Sequence, residues 1–543
     1  MTKLKEFKQK HPYLYLNIIS FFVVGIIFLL ILLKNNFQMI LSNDIAHHLN
    51  RFIGIYEGIK SGQFPVYIYP HILNGATSSC PTFYPDIFLL PFALLQFLGV
   101  SATMCMYLYT FVSIIVLINV FFTLSNKIFK NATMARLATL LFMTNNYILG
   151  EYFKRFALGE FTALIFVIVL GLGVYNMLKE GYSKPWLLLV AMLGLLLSHS
   201  ISFVLSLIAL FVVVFINAKK LLTNKMFYAK TTVIIGLFLA LSFTYLAPFI
   251  EMFVSDTFVI SAKPWTHTYL NTVSSQEFFS VSAIAPNFCL IPLVLFFIKP
   301  HHEDNLILRK QETSFKKLLI PLAIFILLLT DLFPWIYVDK ILGSVQFPWR
   351  LNIFIIPIVS ILGAYLFSTR VFNKAIKGAL IAVLCIINIS TTLPVLFAPN
   401  LNDSAYYGNG IGQEWFPYGV DYTNFYDTVV DDSLSPVEFD RNNYDLHVEF
   451  DSTDASDYYI VPIIYYKGYS ATIEKDGKIN NLEIKKHEKG IQIFTNGETG
   501  HVTLNYDGTK IQKFAPLVSL VSLIGVVTFV SVRHFKRKKR SQI

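Results

Sequence analysis

The sequence predicts an all-α polytopic membrane protein with about twelve transmembrane helices and a small extracytoplasmic β-domain near its C-terminus, on three observations. Apolar runs of about 16 to 23 residues recur along the chain, each close to the length that crosses a hydrocarbon core of about 30 Å. Lysine and arginine gather in every second gap between the runs, the bias that marks cytoplasmic loops. Between 397 and 513 the runs give way to short segments that alternate apolar and polar residues.

Composition sets the class. A mean hydropathy of +0.56, with 55% hydrophobic and 14% charged residues, excludes an ordinary soluble domain, where about a quarter of residues are charged. The formal charge of +10 sits in short loops between apolar runs, so it orients the chain in a lipid bilayer and implies no nucleic-acid partner. Cys80, Cys105, Cys289 and Cys385 are scattered, with no CxxC and no histidine-rich companion, and read as packing residues rather than metal ligands.

Lys3, Lys5, Lys8 and Lys10 place the N-terminus in the cytoplasm. The first run, 14–33, leads into Lys34, Asn35 and Asn36 without a small-residue cleavage site and reads as a retained anchor. The apolar piece 83–98 is short and carries Pro85, Asp86 and Pro91, so it reads as an interfacial or re-entrant helix of the first outer loop. Counting it as a span would put Lys127, Lys130 and Arg136 outside and invert every later loop.

Spans then follow near 103–125, 134–150, 161–178, 185–200, 202–217, 229–250, 282–298, 318–335, 350–368 and 378–396, with a final one near 514–532 before the basic tract 533–540. Both termini are therefore expected in the cytoplasm of a multi-pass cell-membrane protein. The expected division is a transmembrane domain over 1–396 with its first outer loop at 35–100, a β-rich outer domain over 397–513, and a last helix with a basic cytoplasmic tail over 514–543. Alternation over 444–450, 458–466, 491–495 and 501–506 marks strands, and Asn496-Gly497 and Asp507-Gly508 mark turns.

Chemistry must sit where charge meets the membrane surface. If the segment after Ser42 and Asn43 is helical, with one of them as its cap, Asp44, His48 and Arg51 share a face at i, i+4 and i+7. That is a base beside an anion site, or a solvated helix start with a stabilising aspartate. Arg155 and Glu160 flank the membrane surface between two spans, as functional charges or as interfacial snorkelling beside Lys154. In Gln346-Phe347-Pro348-Trp349-Arg350 an arginine stands on the outer side, where the orientation rule disfavours it; it would hold a phosphate, or pair with Asp331 or Asp339. His199, between Ser198 and Ser200, reads first as a hydrogen-bonded packing residue.

These segments, with Gly62-Gln63-Phe64-Pro65, Phe83-Tyr84-Pro85, Ala157, Gly159, Glu414-Trp415-Phe416-Pro417 and Tyr465-Tyr466-Lys467-Gly468-Tyr469, resemble the bacterial membrane proteins of the YfhO kind and their relatives labelled 6-pyruvoyl-tetrahydropterin synthase-related. The resemblance spans nearly the whole chain; Trp415 stands where a tyrosine is expected. That family is similar to the GT-C glycosyltransferases, which implies a GT-C-like transmembrane fold and an acidic residue in the first outer loop. It further implies a polyprenyl-phosphate-linked sugar as donor and an envelope polymer or lipid as acceptor.

The resemblance implies Asp44 as the base that deprotonates the acceptor hydroxyl, with Arg350 on the departing phosphate and Arg155 as its alternate. Glu160 would orient a sugar hydroxyl, an arginine or a divalent cation, and no other cofactor is implied. His48, Arg51, Gln346, Trp349 and Tyr84 would complete the donor site, and the lipid tail would lie near Tyr84 and Phe88. Two rivals remain open: a transporter of lipid-linked sugars, for which no repeat of broken helices is found, and a non-catalytic envelope assembly protein.

Overall fold

The computed structural model describes residues 10–40, 44–262, 266–274, 290–298, 306–371, 373–390, 412–421, 427–441, 446–453 and 456–540. The chain is mostly helical with a C-terminal β-sheet, and among the described residues six helices are long and apolar enough to cross a membrane. They are Pro12–Lys34, Ala102–Phe129, Leu158–Lys179, Lys225–Ser255, Pro348–Arg370 and Lys510–Lys536. Other expected spans are shorter: Ala132–Met143, Trp186–Leu196 and Ser200–Ile216 have 12, 11 and 17 residues. Residues 282–289 of the expected span at 282–298, and residues 391–396 of the one at 378–396, lie outside the described residues. The piece 83–98 forms no long helix; it breaks into Cys80–Phe83, Leu90–Ala93 and Leu94–Leu98, each begun or interrupted by proline or closed by Gly99.

The chain folds into two compact units that do not follow the linear order of the sequence. The first takes residues 1–48, 103–227 and 266–401, and the second 49–102, 228–265 and 402–543. The division falls inside the helix Ile45–Lys60, so Asp44 and His48 belong to the first unit and Arg51 to the second.

In the first unit, Asn352–Arg370 is the central helix. Its span is 89% buried and packs on Ala132–Met143, while Leu158–Lys179 packs on Trp186–Leu196. Stacked rings of Phe121 and Phe142, 4.0 Å apart, fill the core beside them. At the other extreme the Lys510–Lys536 helix, in the second unit, is 6% buried, with Val521, Phe529 and Val530 open. Water tolerates so continuous an apolar surface poorly, whereas hydrocarbon accepts it. Ser519 joins this helix to Lys225–Ser255, accepting from Thr244 N–H at 2.9 Å and donating to the Ala240 carbonyl at 3.0 Å.

The second unit also carries a nine-stranded antiparallel sheet, with strands β1 Val429–Asp431, β2 Pro436–Val437, β3 Phe439–Asp440, β4 Val448–Ser452, β5 Tyr458–Val461, β6 Tyr469–Lys475, β7 Lys478–His487, β8 Gly490–Phe494 and β9 Gly500–Tyr506. Their order is β2-β1-β5-β8-β7-β6-β9-β4-β3. Residues 478–482 of β7 pair with β6 and residues 483–487 with β8, so this one long strand joins two smaller groups. Strand β4 alternates inward and outward, burying Val448, Phe450 and Ser452. The β6–β7 hairpin turns at Asp476 and Gly477, both at positive φ (50° and 72°), as a tight two-residue turn requires.

Two glycines in this unit separate crowding from backbone conformation. A Cβ at Gly490 (φ +148°) would lie 2.0 Å from the Val461 carbonyl oxygen, while one at Gly497 (φ +75°) would meet nothing within 4 Å. Gly497→Ala should therefore cost about 1 kcal/mol, the price of a left-handed alanine, and Gly490→Ala several times as much. Thermal unfolding of the full chain in detergent measures both. Equal losses would contradict the packing described.

Candidate functional site

The charged residues singled out at the span ends converge in the first unit. Asn145 starts the approach: its side chain accepts from Tyr147 N–H at 2.9 Å and caps the turn Asn146–Leu149. The chain then widens into a π-helical turn, Gly150–Arg155, and reverses at Phe156, which takes a left-handed conformation (φ 53°) before Leu158–Lys179 begins. That reversal lets Arg155 and Glu160, five residues apart, face one another.

Arg155 is the hub. Its Nη1 donates to Glu151 Oε1 at 2.7 Å and to Glu160 Oε2 at 2.9 Å, and its Nη2 donates to Asp44 Oδ2 at 3.3 Å. The guanidinium carbon lies over the Trp349 ring, 4.4 Å from its centre. Glu160 is shared: Arg350 Nε donates to its Oε1 at 2.8 Å, and His199 Nε2 lies 3.8 Å from the same oxygen. Arg350 is held further by the Val345 carbonyl and by Gln346 Oε1, each at 3.1 Å. Buried charges persist only when matched in this way.

Asp44 sits immediately before Ile45–Lys60, where the helix N-terminus favours a carboxylate. Its own N–H donates to the Arg155 carbonyl at 3.0 Å, which ties the two segments by backbone as well as by charge. His48, one turn on, accepts from Leu158 N–H at 3.2 Å through Nε2 and so satisfies a donor of the next helix's first turn. The expected cap at Ser42 or Asn43 lies outside the described residues.

Exposure separates the three carboxylates. The Asp44 side chain is 37% exposed, against 3% for Glu151 and 6% for Glu160. Asp44 is the one a solute can reach. Burial raises its carboxyl above the ordinary aspartate range and Glu160 adds to the rise, against the pull of Arg155 and Arg350. Burial pushes Glu151 up to about 8, against the neighbouring Arg155, with Glu160 and Asp44 adding to the rise. Glu151 Oε2 is buried without a hydrogen-bond partner of ordinary geometry. A protonated Glu151 leaves Asp44 and Glu160 to balance Arg155 and Arg350.

Several expectations are corrected here. Arg350 pairs with neither Asp331 nor Asp339; Asp339 accepts instead from His267 Nδ1 and Thr268 N–H, each at 2.8 Å. Arg155 does not snorkel, since its charge is spent inside the cluster, while Lys154 beside it is exposed. Arg51 shares a helix face with Asp44 but belongs to the second unit, where its Nε donates to Asp86 Oδ1 at 2.9 Å and its Nη2 to the Pro85 carbonyl at 2.8 Å. Tyr84 packs its ring 4.2 Å from that guanidinium, and Tyr69 donates to the other Asp86 oxygen.

Glu151 and His199 are the members of the cluster that the sequence did not assign to it. The i, i+4 spacing of Glu151 and Arg155 was a usable signal; His199 also caps Ser200–Ile216, accepting from Ser202 N–H at 3.3 Å. Among the described residues no group of three or more His, Cys, Asp or Glu side chains is arranged to hold a metal ion. No protein-family model matches the chain, and no curated protein matches it either.

The cluster predicts two stability effects. Glu160→Gln removes the charge shared by two buried arginines and should cost about 3–5 kcal/mol, whereas Glu151→Gln resembles the protonated acid and should cost less than about 1 kcal/mol. Because Glu151 titrates near 8 when folded and near 4.5 in an unfolded chain, the folded state binds the extra proton between those values. Its contribution to stability is then full below pH 4.5 and is lost as pH rises to 8, at most about 1.4 kcal/mol per unit. Unfolding midpoints in detergent across that range, compared with Glu151→Gln, check the sign; an equally steep slope in the variant contradicts it.

Proposed function

We propose that this chain is a membrane glycosyltransferase of the GT-C kind. It moves a sugar from a polyprenyl-phosphate donor to a glycopolymer or lipid acceptor at the outer face of the cell membrane. The observation that carries the reading is Asp44: a reachable carboxylate at a helix start, beside a cation, in a helical unit whose apolar spans suit a bilayer. The twelve-span topology, with both termini cytoplasmic and the β-rich region outside, is part of the proposal and is supported by the basic gaps.

In this mechanism Asp44 takes the proton from the acceptor hydroxyl as its oxygen attacks the anomeric carbon. The bond from that carbon to the phosphate oxygen breaks on the opposite face, and polyprenyl phosphate leaves with the electron pair. A carboxylate raised by burial is a stronger base than one in water, which supports the role. Charge grows on the leaving phosphate, so a cation beside it stabilises the transition state more than the ground state. Of the two arginines, Arg155 is more open (18% against 10%), which favours it over Arg350 for that contact. Arg350 then serves by fixing Glu160, with Gln346 and Trp349 holding the two guanidinium groups in place.

A second reading has one observation in its favour. Every charge in the cluster has an opposite partner, as in a purely structural network within an envelope assembly protein. Asp44→Asn separates the two. A transferase keeps its membrane level and loses about 10²–10⁴-fold in rate, measured as labelled sugar moved from polyprenyl phosphate in proteoliposomes. An assembly protein is indifferent to the change, and a variant as active as the parent ends the assignment of Asp44 as base.

A further inference from the structure

The second unit holds a cavity of about 290 Å³ that the mechanism above does not use. Two motifs far apart in sequence build it. Pro417 comes from Glu414-Trp415-Phe416-Pro417, and Tyr465, Tyr466 and Lys467 come from Tyr465-Tyr466-Lys467-Gly468-Tyr469. Asp256 and Phe258, just past the end of Lys225–Ser255, complete the wall. The pieces are locked together by backbone: Val259 N–H donates to the Phe416 carbonyl at 2.9 Å, and Tyr418 N–H to the Thr257 carbonyl at 2.7 Å. Behind them Phe83 packs edge-on to Phe258 and stacks flat on Trp415.

The chemistry of the lining narrows the occupant. Tyr465 is half-open and offers a ring face, while Phe258, Pro417 and Tyr466 are buried and form the apolar floor beneath it. Both charges in the wall are already matched: Asp256 accepts from Lys486 Nζ at 2.7 Å, and Lys467 Nζ lies 3.0 Å from Glu251. An anion or a cation gains little from such a wall. A neutral molecule with hydroxyls on its rim and C–H groups on its faces can stack on Tyr465 and donate to the remaining acceptor position of Asp256 Oδ2; the other positions of that carboxylate take Thr257 N–H and Lys486 Nζ.

We infer that this cavity is a binding site for a neutral carbohydrate, of a size to hold one or two sugar residues. Its role as the seat of the acceptor glycan rests on the transferase reading; the binding itself does not. Calorimetry on the full chain in an amine-oxide detergent, which carries no sugar headgroup, tests it with cellobiose, lactose and N,N′-diacetylchitobiose, and with inorganic phosphate as the anionic probe. At least one disaccharide should bind saturably and phosphate should not compete. Tyr465→Ala and Asp256→Asn should each weaken binding at least about tenfold while leaving the unfolding midpoint near that of the parent, and Asp44→Asn should leave binding unchanged.

The inference is overturned if none of the three disaccharides binds, if phosphate displaces the one that does, or if neither cavity substitution alters the affinity. The two readings fail separately. Transfer that depends on Asp44 with no disaccharide bound removes the cavity's role and spares the enzyme. Binding in a chain that transfers no sugar removes the enzyme and spares the cavity.

Discussion

One guanidinium organises the helical unit. Arg155 lies among apolar helices, where an unmatched charge would cost several kcal/mol, and three carboxylates from two chain segments meet it. Satisfying it dictates the rest: a left-handed Phe156 to bring Glu160 round, a backbone bond from Asp44 to hold the first loop, and Arg350 to take up the charge that Glu160 has left over. Trp349 closes the open face of the hub, which explains why an aromatic residue precedes Arg350.

The same constraint separates the three carboxylates. Glu151 and Glu160 are spent on holding arginines and are shut away from solvent, whereas Asp44 is bound by a single longer contact of 3.3 Å and stays reachable. Burial also makes that carboxylate more basic than it would be in water, while the adjacent cation keeps its charged form accessible. On the proposed transferase reading, stability and reactivity would be drawn from one set of contacts, and a change in any member would be felt by both.

Much of this was legible in the sequence because lipid imposes simple rules. Long apolar runs gave the helices, and the charges stranded at their ends, Asp44, Arg155, Glu160 and Arg350, stood out as candidates, although their pairing with one another was not readable from the residues. The failures have physical causes as well. Helix periodicity joined Arg51 to Asp44, but Asp86 offers a nearer solution from a segment broken by proline, and periodicity carries no information on contacts 35 residues away. Strand β7 has no fully buried residue and alternates only weakly, at Leu482 and Ile484, so its Asp476-Gly477 turn was the clearer signal. The compact units interleave three chain segments each, which a linear reading divides by composition instead.

The account stands on Asp44 and Arg155 sharing the outer surface of the membrane. The direct measurement is labelling by a membrane-impermeant thiol reagent in intact cells, with Asp44→Cys and Lys154→Cys each placed in a chain whose four natural cysteines, Cys80, Cys105, Cys289 and Cys385, are replaced by serine. Both positions should label without permeabilisation. Labelling of either only after the membrane is opened would put the cluster on the cytoplasmic side and contradict the account.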